Sequence, residues 1–133
     1  MLYALLCYND EDVVWSWSAE KDAEIMDRIR TVQDELTAEG KLGPSLRLLP
    51  TTAATTVRKS DGQPLIIDGP FAETKEQLLG FYIIDVENLD AALEVVRRIG
   101  AANPSSTYEV RPIALFVPNA RQATATPERA LPG

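Results

Sequence analysis

The sequence predicts an α+β protein in which an antiparallel sheet carries two helices on one face. Three observations lead there. The stretches 19–39 and 88–100 repeat apolar residues at helical spacing, and the runs 2–8, 78–86 and 107–116 read as strands. The elements also follow one another as strand, helix, a hairpin-rich middle, strand, helix and strand, which makes two βαβ-like halves.

Taken in order, Leu2 to Tyr8 is a short apolar run stopped by Asn9-Asp10, as expected of a strand covered on both faces. An acidic loop from Asn9 to Trp17 follows and carries Trp15 and Trp17. From Ala19 to Glu39 the apolar positions Ile25, Ile29, Val32 and Leu36 form one helical stripe, with Ser18 placed as the N-cap and Gly40 as the stop. Pro44 and Pro50 bracket Ser45 to Leu49, a candidate edge strand, since proline cannot donate to a ladder. Ala54 to Lys59 and Pro64 to Ile67 flank Ser60-Asp61-Gly62-Gln63 and predict an added β-hairpin.

Asp68-Gly69-Pro70-Phe71 reads as a second tight turn, in which Phe71 is expected to plug the core. Leu78 to Val86 is the most strand-like run of the chain. Asn88 then caps a helix whose expected inward positions are Leu89, Ala92, Leu93, Val96 and Ile99, with Arg97 and Arg98 in the last turn and Gly100 beyond. In the strand 107–116, Tyr108 and Val110 point one way while Glu109 and Arg111 point the other. The whole is a ferredoxin-like plan over residues 1–117, with 118–133 expected to be a flexible C-terminal tail rich in proline, alanine and threonine.

Composition excludes several functions. The chain has 133 residues, 13 basic and 20 acidic, for a net charge of -7, and it contains no histidine. Histidine-based catalysis is therefore out, and the single cysteine, Cys7, rules out an internal disulfide and a multi-cysteine zinc site. Cys7 lies in a strand apolar on both faces and is expected to be inert. The scattered basic residues of an acidic chain argue against nucleic acid. No apolar run approaches the roughly 20 residues of a membrane span, so the expected home is the cytoplasm. Neither GxxxxGK nor GxGxxG occurs, and no cofactor is expected.

Both helices cover the same face of the sheet, so the other face needs a cover. Leu79, Phe81 and Ile83, or Gly80, Tyr82 and Ile84, would face outward, and neither set suits water. A twofold homodimer with sheets packed face to face is the simplest remedy, and it creates a cleft in which to look for chemistry. Arg111 with Glu109 is one polar pair for that cleft, or else an ordinary ion pair. Trp15 and Trp17 either lid a cleft or pack at its rim.

Asp68-Gly69-Pro70-Phe71 followed by Ala72-Glu73-Thr74-Lys75-Glu76-Gln77-Leu78-Leu79-Gly80-Phe81-Tyr82 resembles the DGPF-motif branch of the YCII-related proteins. The resemblance runs from the first strand through Pro112-Ile113. It implies a dimeric α+β barrel and a largely uncharacterised family, some of whose members are encoded beside extracytoplasmic-function sigma factors. Other YCII-related proteins pair a histidine with an aspartate, a dyad that this histidine-free chain does not carry.

Asp68 is either a carboxylate base or hydrogen-bond acceptor for a small ligand, or the residue that shapes its own turn. Lys75, between Glu73 and Glu76, either pairs with an anionic ligand that Glu76 or Glu73 helps orient or belongs to a solvated loop. Tyr82 either offers its hydroxyl to the cleft or packs on the sheet. The favoured expectation is a homodimer binding a small molecule near the DGPF turn, with a cofactor-independent, carboxylate-assisted proton transfer or elimination as its chemistry. The competing one is a non-catalytic ligand-sensing module linked to a sigma factor.

Overall fold

The computed structural model describes residues 1–59, 61–103 and 106–118. Ser60 of the expected hairpin turn and the tail from residue 119 onward lie outside the described residues. The elements are β1 (Leu2–Asn9), α1 (Glu11–Val14), α2 (Ala19–Ala38), β2 (Leu42–Arg47), β3 (Thr55–Arg58), β4 (Leu65–Asp68), β5 (Gln77–Asp85), α3 (Leu89–Ala102) and β6 (Thr107–Pro112). Four strands form one antiparallel sheet in the order β2-β5-β1-β6, which is compatible with a ferredoxin-like fold. β3 and β4 pair antiparallel with each other as a separate two-stranded sheet, inserted where β2 runs on toward β5.

The helix ends follow from their caps. The Ser18 hydroxyl accepts from the Lys21 amide at 3.1 Å and the Asn88 side chain from the Ala91 amide at 3.0 Å, each satisfying an otherwise orphaned N–H. At the other end of α2, Gly40 takes φ 72°, so that the Lys41 amide reaches back to the Leu36 carbonyl at 2.9 Å. The stretch expected to be a plain loop after β1 contains the single helical turn α1, which Asp10 caps by accepting from the Asp12 amide.

Tyr3 and Leu5 of β1, Ile84 of β5, Leu36 of α2, and Ala92, Val95 and Ile99 of α3 form the main core. Ile25 and Ile29 of α2 make a second cluster with Ala102. Each fully buried leucine or isoleucine contributes roughly 1.5–3 kcal/mol relative to leaving it in water. Strand alternation then puts Leu2, Ala4, Leu6 and Tyr8 on the opposite face, beside Phe81 and Ile83 of β5, and Glu109 and Arg111 of β6.

Four expectations need correction. The inward stripe of α3 is turned, so that Leu89 and Leu93 are 51% and 43% exposed while Val95 and Ala102 are buried. The helix runs past Gly100 to Ala102, which leaves Arg98 inside it, bonded to Glu39 at the C-cap of α2 at 2.7 Å and Glu35 at 3.4 Å. β6 ends at Pro112 instead of residue 116, and β2 covers 42–47 instead of 45–49.

Candidate functional site: a cavity between α2 and the sheet

A cavity of about 300 Å³ lies between α2, from Asp22 to Gln33, and the sheet. Its apolar wall comes from the α2 stripe, Ile25, Met26 and Ile29, with Val14 of α1 and Trp17 closing one side. Its floor is the sheet, where Cys7 stands opposite Gly80 of β5 and Tyr108 of β6 in the strand register, and Tyr82 lies two pairs further along, opposite Leu5.

Gly80 is essential to this floor for a steric reason. A Cβ there would meet the Leu46 carbonyl oxygen of β2 at 2.1 Å, so only glycine lets the two strands approach.

The polar groups gather at one end. Asn103, at the end of α3, and Ser106, just before β6, line the cavity beside Tyr108. Their side-chain oxygens and the Tyr108 hydroxyl are buried, and among the described residues none of the three has a partner in good hydrogen-bond geometry. Burial pushes the Tyr108 phenol up to about 12, with the neighbouring Cys7 adding to the rise and Ser106 and Asn103 opposing it. Burial also pushes the Cys7 thiol up to about 12 and raises Tyr82, which Cys7 raises further and Gln33 draws back. The floor is thus uncharged and protonated at neutral pH.

Charge appears only at the mouth. Arg47 donates to both carboxylate oxygens of Asp22, at 3.1 and 3.4 Å, and its guanidinium lies 4.9 Å from the centre of the Trp15 ring. Trp17 lines the cavity while the Lys21 ammonium lies 5.4 Å from its ring centre, so both tryptophans sit at the opening. α1 is tied down behind them, because the Glu11 carboxylate accepts from the Thr51 amide and hydroxyl and the Glu11 amide donates to Gln77 at 2.9 Å.

Of the five candidate site residues Asp68, Lys75, Glu76, Tyr82 and Arg111, Tyr82 is the one that lines the cavity. Asp68 is exposed at the end of β4, opposite Thr55 in the hairpin. Its turn is held by the Gly69 amide donating to Ala54 and the Thr56 hydroxyl donating to the Gly69 carbonyl, both at 2.7 Å, with Gly69 at φ 100°. Phe71, expected to plug the core, is 74% exposed. Lys75 is exposed, as is Glu76, which accepts from the Thr107 hydroxyl at 3.4 Å. Arg111 is exposed on the other face of the sheet and donates to Glu109 at 2.6 Å. Within one chain these five residues do not converge. The cavity instead uses Asn103, Ser106, Tyr108 and Gln33, which sequence reasoning passed over as site residues. The one available signal was a polar Asn-Pro-Ser-Ser run between α3 and β6 that is longer than a turn requires.

Among the described residues no helix is long and apolar enough to cross a membrane, and no three His, Cys, Asp or Glu side chains are grouped to hold a metal ion. The sequence model of the YCII-related domain matches residues 1–117. An uncharacterized protein of Rhizobium meliloti (strain 1021) is 57% identical over 119 residues, covering 89% of this chain and 96% of that protein. With the match spanning the whole sheet, both long helices and the cavity between them, the chain belongs to the YCII-related family.

Proposed function

We propose that this protein is a homodimeric small-molecule-binding protein of the DGPF-motif branch whose ligand occupies the cavity between α2 and the sheet. The observation that carries the reading is the cavity's composition: an apolar body ending in three buried oxygens, those of Asn103, Ser106 and Tyr108, none of them in a well-formed hydrogen bond among the described residues. Unpaired buried polar groups each cost about 1–3 kcal/mol, a penalty that a bound molecule relieves. The composition supports binding over proton transfer at this place. Asp22 is held by Arg47, and the thiol and both phenols on the floor stay protonated near neutral pH, so no free base faces the cavity among the described residues.

Pairing of two copies is supported by the face of the sheet that carries no helix. Leu6 and Phe81 are cross-strand partners at its centre, flanked by Ala4 and Ile83. The β3–β4 hairpin exposes Val57, Leu65 and Ile66, the last by 68%. A two-stranded hairpin of four-residue strands is marginal in water by itself, and both it and the open sheet face gain from burial against a second copy. A cytoplasmic location completes the proposal.

The cavity is tested by a thermal-shift screen of neutral and charged metabolites, in which a ligand of the folded state raises the melting temperature. Met26→Trp, which fills the cavity, is expected to abolish every shift while leaving circular dichroism unchanged. Hits that survive the substitution would place the ligand elsewhere.

A further inference from the structure

Resting on that reading of the cavity, the nature of the ligand follows from which charges and which hydrogen-bonding atoms face it. Among the described residues the cavity walls hold two charged side chains, Asp22 and Arg47, and these neutralise each other at the mouth. An anionic ligand would have to displace Asp22 from Arg47, and a cationic ligand would have to displace Arg47 from Asp22. Either would also carry its charge into a chamber floored by Cys7, Tyr82 and Tyr108, where no counter-charge stands. The chamber therefore selects against ions.

The polar end asks for a particular group. The Tyr108 hydroxyl, the Asn103 carbonyl oxygen and the Ser106 hydroxyl are buried together, near enough for Ser106 and Asn103 to act on the Tyr108 phenol but in no well-formed hydrogen bond, which leaves Tyr108 a donor to offer and Asn103 an acceptor. A ketone or ether satisfies only the donor. A hydroxyl group accepts from one and donates to the other.

We infer that the cavity binds an uncharged alcohol or phenol, its apolar body against Ile25, Met26 and Ile29 and its hydroxyl seated between Tyr108 and Asn103.

Three probes of one shape test this by titration calorimetry at pH 7 with the full-length protein: 4-ethylphenol, ethylbenzene and 4-ethylbenzoate. The phenol is expected to bind about tenfold more tightly than ethylbenzene, as one to two good hydrogen bonds allow, and the carboxylate at least tenfold more weakly than the phenol. Tyr108→Phe should bring the phenol to within about threefold of ethylbenzene without weakening ethylbenzene, and Asn103→Ala, which removes the acceptor, provides a second variant expected to narrow the gap likewise should Tyr108→Phe unfold. Ethylbenzene binding as well as the phenol, or 4-ethylbenzoate binding best, overturns the inference and leaves the cavity standing. Failure of all three probes, with Met26→Trp no different from wild type, overturns the cavity reading and the inference with it.

Discussion

Cys7 and Tyr108 face one another across β1 and β6, and burial pushes the thiol and the phenol alike up to about 12. Both are acids that the folded chain holds protonated longer than the unfolded chain does. Below the ordinary thiol value of 9.0 the two states bind the same protons here, and stability does not depend on these groups. Above it the unfolded chain releases its protons first, so stability falls as pH rises toward 12. Urea midpoints measured between pH 7 and pH 10.5 should decline, and Cys7→Ala should flatten the decline. The native thiol should also react with a disulfide reagent at pH 8 far more slowly than in denaturant.

Gly80→Ala is expected to destabilise by about 1–3 kcal/mol, since the new methyl must push β2 away from β5 at the Leu46 carbonyl. Thermal melts read the loss. A change under about 0.5 kcal/mol would mean that the strands separate freely at that point.

The orientation of α3 makes a paired prediction. Val95→Ala should cost about 2 kcal/mol, as removal of buried methyl groups does, while Leu93→Ala should change stability by less than about 0.5 kcal/mol. Chemical denaturation of the two variants decides it, and the reverse order would restore the stripe expected from sequence.

Arg98 crosses from α3 to Glu39 at the C-cap of α2, and its hydrogen bond, with a second from Lys41, lowers the Glu39 carboxyl from 4.5 to about 2. A lowered acid supports the fold above its unfolded value and loses that support as pH falls through the folded one. Arg98→Gln should therefore leave less acid-dependent loss in melting temperature between pH 5 and pH 2 than wild type shows. The difference should shrink in high salt, because the pair is exposed.

How far the sequence reveals the fold depends on how local the signal is. Ser18 and Gly40 mark the ends of α2 because a cap acts within a few residues of itself, and Tyr108 and Val110 point to the core because strand alternation is strict. The orientation of α3 is not local. Leu89, Leu93 and Val96 lie along one stripe and Val95 and Ala102 along the next, both apolar, and only packing against Leu36 and Tyr3 selects between them. The cavity was illegible for a stronger reason, since Cys7, Met26, Gly80, Asn103 and Tyr108 meet only after four strands and two helices are assembled. Phe71 misled because an aromatic beside a tight turn is ordinarily an anchor, whereas here it is left bare on the hairpin side.

The irregularity in pairing between Cys7 and Tyr8 brings Cys7 opposite Gly80 but Tyr8 opposite Leu78, with Leu79 as the extra residue. Beyond it the parity of β5 is inverted: Gln77 turns inward to hold α1, where an unbroken strand would have aimed it outward. The strand is thereby divided into a core half and a rim half that count their side chains separately. Removing or adding a single residue around Leu79 would re-aim the rim of the chamber while Tyr82 and Ile84 keep their places.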